Sequence, residues 1–123
     1  VPWRTTPVAP ALAFGRQAGD VLVRYEFAGT ENDIRLPLAV WRDLADAIRR
    51  GHLSQPPAEW TPWAPAAGQG LAMLRDGHVH LRHGPRNQVE ERLPESVWQQ
   101  LAAAVRCRAV DQLPVINAAD TTP

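Results

Sequence analysis

The sequence predicts an α+β fold built from two tandem β-β-β(-β)-α units, and three observations predict it. A sixteen-residue segment recurs at a fixed offset; period-two apolar runs precede it in both places; and an apolar stripe of helical spacing lies within it. The segment is Arg35–Arg50 against Arg92–Cys107, an offset of 57 residues, with nine of the sixteen positions identical. The identities include Leu36-Pro37 with Leu93-Pro94, Val40-Trp41 with Val97-Trp98, and Leu44-Ala45 with Leu101-Ala102. The same offset aligns Trp3 with Trp60, and offsets of 58 and 59 align Gly19 with Gly77 and Arg16 with Arg75. One or two residues inserted in turns account for that drift.

Each element follows from local chemistry. Leu12–Phe14 and Leu71–Leu74 are short apolar runs, and the segments Arg16–Asp20 and Arg75–Gly77 behind them carry hairpin-turn residues. In the next strand of the first unit, Val21, Val23, Tyr25 and Phe27 share one face while Arg24 and Glu26 share the other. In the second unit Val79 and Leu81 point inward, and His78, His80 and Arg82 outward, with His83 at the neighbouring turn. Polar turns at 28–33 and 84–88 lead to further strands near 34–38 and 89–93. Val40, Trp41, Leu44, Ala47 and Ile48 then fall on one helical stripe, as do Val97, Trp98, Leu101, Ala104 and Val105. Pro37 and Pro94 suit a first helical turn, where a missing N–H costs nothing, and Gly51 suits the end of the first helix. Leading edge strands near 3–9 and 60–66 are expected to be short, because Pro2, Pro7, Pro10, Pro62 and Pro65 interrupt them.

One helix over three short strands makes a thin core, so the units are expected to pack together as one pseudo-two-fold domain over 1–117. Repeat one covers about 3–54 and repeat two about 60–111, with a Pro-rich connector at 55–70 and a frayed tail at 118–123. The antiparallel sheets are closed by two amphipathic helices, anchored by Trp41 and Trp98.

Composition narrows function. Thirteen basic residues, all Arg, balance thirteen acidic ones, which excludes a strongly polyanion-binding protein of histone type. No apolar run approaches the roughly 18–20 residues a membrane helix needs. Cys107, the single cysteine, permits no internal disulfide, so a cytoplasmic setting is expected. The chain starts at Val1 with no basic-then-apolar leader, which reads as a trimmed start. A glycine-rich phosphate loop, a nucleophile elbow and a helical zinc-binding His pair are all missing, so neither an enzyme nor a cofactor is expected. Glu90 and Glu91 are neighbours on a strand and point to opposite faces, which rules them out as a carboxylate pair.

The candidate contacts are arginines and aromatics. Arg75–Arg86 is the most basic hairpin, with three Arg and three His against one Asp. On the outward strand faces Arg24, Arg35, Arg82 and Arg92, with His80 beside them, are placed to meet phosphates. Trp3, Trp60 and Trp63, in Pro-rich extended segments, are placed to stack on bases or to line a peptide groove. His78 and His80 project from one face and form the weak alternative of a metal site, which needs three or four ligands and would draw another from Asp76 or Glu90.

The pattern Leu36-Pro37…Trp41…Leu44 and Leu93-Pro94…Trp98…Leu101 resembles the C-terminal half of the single-stranded-DNA-binding coactivator fold, of which the plant Whirly proteins are an internally duplicated version. Its Pro-x-x-x-Trp start is also similar to a motif in small actinobacterial regulators related to BldB. The first resemblance implies paired strand-and-helix units whose sheet surface holds single strands. The function expected is therefore a small non-enzymatic regulatory or adaptor protein that binds a macromolecule through its sheet. Single-stranded nucleic acid is the specific version. The alternatives are a protein–protein interaction module, a homodimeric structural protein and a His-based metal-binding protein.

Overall fold

The structure, a computed structural model, describes residues 3–51, 53, 55–63 and 70–110. Strands β1 (Arg4–Thr6), β2 (Ala9–Gln17), β3 (Asp20–Phe27) and β4 (Thr30–Pro37) form one antiparallel sheet in that order, followed by helix α1 (Leu38–Arg49). Strands β5 (Thr61–Pro62), β6 (Leu71–Arg75), β7 (His78–His83) and β8 (Val89–Pro94) form a second such sheet, followed by α2 (Glu95–Arg106). The fold is α+β, two four-stranded antiparallel sheets with two helices, and the order of elements in the second half repeats that of the first.

The likeness extends to how each helix starts. Pro37 and Pro94 both stand just before the first helical residue, with φ of −53° and −55°, one position earlier than expected. The first helical N–H then donates to a glycine carbonyl in the tight turn of the same half: Leu38 to Gly19 and Glu95 to Gly77, each at 2.9 Å. An orphan donor at a helix start needs such a partner, and no side chain provides one here. Both helices run for twelve residues, and Glu95 opens α2 with a negative charge against the helix dipole. Gly51, at φ +78°, follows the end of α1 as expected.

Buried side chains from both halves form one contiguous core. Trp98 is fully buried and Trp41 is 6% exposed, so both indoles are the anchors expected of them. Trp41 meets Phe14 of β2 at a tilted 6.3 Å. The Trp98 Nε1–H donates to the carbonyl of Leu53, beyond α1, at 3.3 Å. Helix α2 packs on β2 of the first sheet and against α1, as well as on its own sheet. Gln100 of α2 accepts the Ala11 N–H at 3.0 Å, next to the register shift between β1 and β2. The Tyr25 hydroxyl donates to the Arg92 carbonyl at 3.3 Å, tying β3 to β8.

Four expectations need correction. The turn after β3 is only Ala28-Gly29, because Thr30 already pairs with Phe27 and β4 takes in residues assigned to the turn. Phe27, at that hairpin tip, is 44% exposed and lies outside the core. His83 is the last residue of β7 and buried, rather than on a turn. Trp63 is buried too, which removes it from the exposed aromatics. Residues 64–69 of the connector and the tail 118–123 lie outside the described residues, as do 111–117, where the single domain was expected to end.

Candidate nucleic-acid and partner interfaces

Strand alternation gives each sheet an inward and an outward face, and pairing arranges the outward side chains in rows. In the first sheet the rows are Gln17, Asp20 and Pro37; then Gly15, Leu22 and Arg35; then Ala13, Arg24 and Asp33. In the second they are Arg75, His78 and Pro94; then Met73, His80 and Arg92; then Leu71, Arg82 and Glu90. The rows match one for one.

The third row of each sheet carries the same cluster. Arg24 Nε donates to Asp33 at 2.8 Å, and Arg82 Nε to Glu90 at 2.8 Å. Each guanidinium lies against an indole: Arg24 is 4.4 Å from the Trp3 ring centre, and Arg82 is 4.2 Å from that of Trp60. The hydrogen bond that Arg24 donates to Asp33 raises the Arg24 pKa, and the one that Arg82 donates to Glu90 holds the Glu90 carboxyl below its usual range. These are fixed, charge-assisted contacts on an exposed surface. Trp3 and Trp60 thus lie on the outward faces, half-buried against these arginines rather than freely exposed.

Charge separates the two faces. The first sheet sets Arg24 and Arg35 against Asp20, Glu26, Glu31 and Asp33. Arg35 is held by Asp20 and Gln17, both at 3.0 Å, and Arg24 serves Glu31 at 3.3 Å as well as Asp33. The second sheet sets Arg75, Arg82 and Arg92, with His78 and His80, against Glu90. Among the described residues, Arg75 and Arg92 have no carboxylate partner. Arg75 was missed as a contact by sequence reasoning. Its alternation with Met73 and Leu71 was the signal that places it outward.

The site residues therefore divide. Arg82, Arg92, His80 and Trp60 come together on the second sheet. Arg24, Arg35 and Trp3 come together on the first, where carboxylates outnumber them. His80 meets Trp60 edge-on at 6.5 Å and lies 3.6 Å from Glu90. His78 instead turns its Nδ1 toward the Asp76 carbonyl at 3.1 Å. No group of three or more metal-ligating side chains forms among the described residues.

Leu22 occupies the place of His80 in the first sheet, and a cleft of about 390 Å³ opens there. Trp3, Leu22, Arg24, Asp33, Arg35 and Glu91 line it. Glu91 points away from Glu90, as strand alternation requires. Burial raises its carboxyl pKa, partly offset by a hydrogen bond from the Arg35 backbone.

His83 is 2% exposed, and neither ring nitrogen has a hydrogen-bond partner among the described residues. Burial lowers its pKa below the ordinary 6.5. The unfolded chain then takes up this proton before the folded one. The stabilisation is present above about pH 6.5 and is lost as pH falls through the folded-state value, by at most about 1.4 kcal/mol per pH unit. Glu91, with its raised pKa, works in the opposite sense at lower pH. Melting followed by circular dichroism at pH 7.5 and 5.5 is expected to show a larger acid-side drop for wild type than for His83→Leu. Equal drops would rule His83 out as the source.

No helix among the described residues is long and apolar enough to cross a membrane. Comparison of the chain with protein-family models, with curated proteins and with solved structures gives no match.

Proposed function

We propose that this is a non-enzymatic regulatory or adaptor protein that holds single-stranded nucleic acid across the outward face of its second sheet. The observation that carries this reading is the row pattern there. Three arginines and two histidines share the outward face on which Trp60 lies against Arg82 and His80, with Glu90 as the one outward carboxylate of the paired β6–β8 positions. Phosphate binding needs locally uncompensated positive charge, and Arg75 and Arg92 provide it although the whole chain is neutral. Trp60, stiffened by Arg82, offers a planar surface to a base. The resemblance to the coactivator fold supports the same reading.

Fluorescence anisotropy of a labelled single strand, titrated at several salt concentrations, tests it. Binding is expected at about 50 mM salt, weakening with a log–log slope of about −1.4 for two neutralised phosphates or about −2 for three. Arg92→Ala and Arg75→Ala are each expected to flatten the slope by about 0.7. Arg24→Ala, on the acidic sheet, is expected to leave it unchanged. Absence of binding at about 50 mM salt, or equal losses from both sheets, overturns the assignment to the second face.

A further inference from the structure

The two outward faces are electrically opposite in a chain of zero formal charge. On the first, Glu26 and Glu31 stand directly across β3 and β4 from each other. Like charges in that register repel and destabilise a sheet pair. Arg24 is shared between Glu31 and Asp33, and Glu26 has no cation against it among the described residues. On the second sheet two arginines face no carboxylate across the strands. Arg75 stands opposite His78, and Arg92 opposite His80.

We propose that the acidic first-sheet face of one copy docks on the basic second-sheet face of another. Each face carries surplus charge that its own sheet does not neutralise, and the surpluses have opposite sign. The cleft beside Trp3, lined also by Arg24 and Arg35, presents the Asp33 and Glu91 carboxyls as further acceptors for an arginine from the incoming face. Strand spacing and rise give roughly 400 Å² per face, below the size of a durable interface. The contact is therefore weak and salt-sensitive, and it reverses readily. It joins unlike surfaces, so it propagates head to tail rather than stopping at a symmetric dimer. Taken with the proposed function, on which this one consequence rests, the acidic sheet competes with nucleic acid for the basic one.

Sedimentation of nuclease-treated protein, with no nucleic acid present, tests the docking independently of nucleic-acid binding. At about 100 µM protein the weight-average mass is expected to at least double when salt falls from about 300 to about 25 mM, as screening is relieved. The charge reversals Glu26→Arg/Glu31→Arg and Arg75→Glu/Arg92→Glu are each expected to leave a monomer at low salt. Mixing the two variants restores association, because each then presents a face complementary to the other. Circular dichroism establishes that both variants fold. A monomer at low salt, a variant that still associates alone, or a mixture that does not associate overturns the docking. Docking without oligonucleotide binding would leave it standing and remove only the competition.

Discussion

Trp98→Ala is expected to destabilise the fold by about 3–5 kcal/mol, the range for deleting a buried aromatic side chain. Three losses combine. The indole is fully buried, so its removal leaves a cavity that the surrounding helices and strands close only in part. Leu101 and Ala102, buried three and four residues further along the same face of α2, lose a packing partner. The Leu53 carbonyl loses its donor, and with it the tie between α2 and the segment after α1. Urea denaturation of wild type and variant measures the difference. Trp98→Phe separates the terms: it keeps most of the ring volume and is expected to recover more than half of the loss. A cost below about 1 kcal/mol for Trp98→Ala would mean that the indole does not anchor the core.

Gly70→Ala is expected to be nearly as damaging, for a different reason. A Cβ at this position would lie 2.1 Å from Cε2 of Trp63, whose ring is buried and cannot swing aside. The backbone there has φ +95°, a conformation that strains any residue with a side chain. Gly70 is also held at both ends: its carbonyl accepts the Trp63 N–H at 3.1 Å, and its N–H donates to Asn87 Oδ1 at 2.9 Å. Overpacking costs about 1–3 kcal/mol and backbone strain about 1–3 kcal/mol, so a total of about 2–6 kcal/mol is expected. Gly51→Ala is the control. Its φ of +78° imposes similar strain, but its Cβ would enter open space, so about 1–2 kcal/mol is expected. Equal losses at the two positions in thermal melts would show that contact with Trp63 contributes nothing.

Much of this architecture was legible in the residues themselves. The Leu-Pro-x-x-x-Trp-x-x-Leu pattern marks both helices, and period-two alternation marks β3 and β7, because helix and strand periodicities are local properties of the chain. Arg24 and Glu26 could be placed outward from spacing alone, as could His78, His80 and Arg82. Their partners could not. The pairing of Arg82 with Glu90 depends on register across a five-residue connection, and the stack of Trp3 on Arg24 depends on a strand more than twenty residues away. Trp63 and Trp60 look equivalent in a Pro-rich stretch, yet they flank the two-residue β5 at opposite parity, which sends one into the core and leaves the other on the surface.

The amino-acid order alone thus determined the elements, their repetition and the inward stripe of each helix. Tertiary structure decided which charges meet. Contacts between strands, and the seat of α2 on β2, join residues far apart in the chain, and only chain closure sets those separations. For that reason the neutral composition held no sign that one sheet face would be acidic and the other basic.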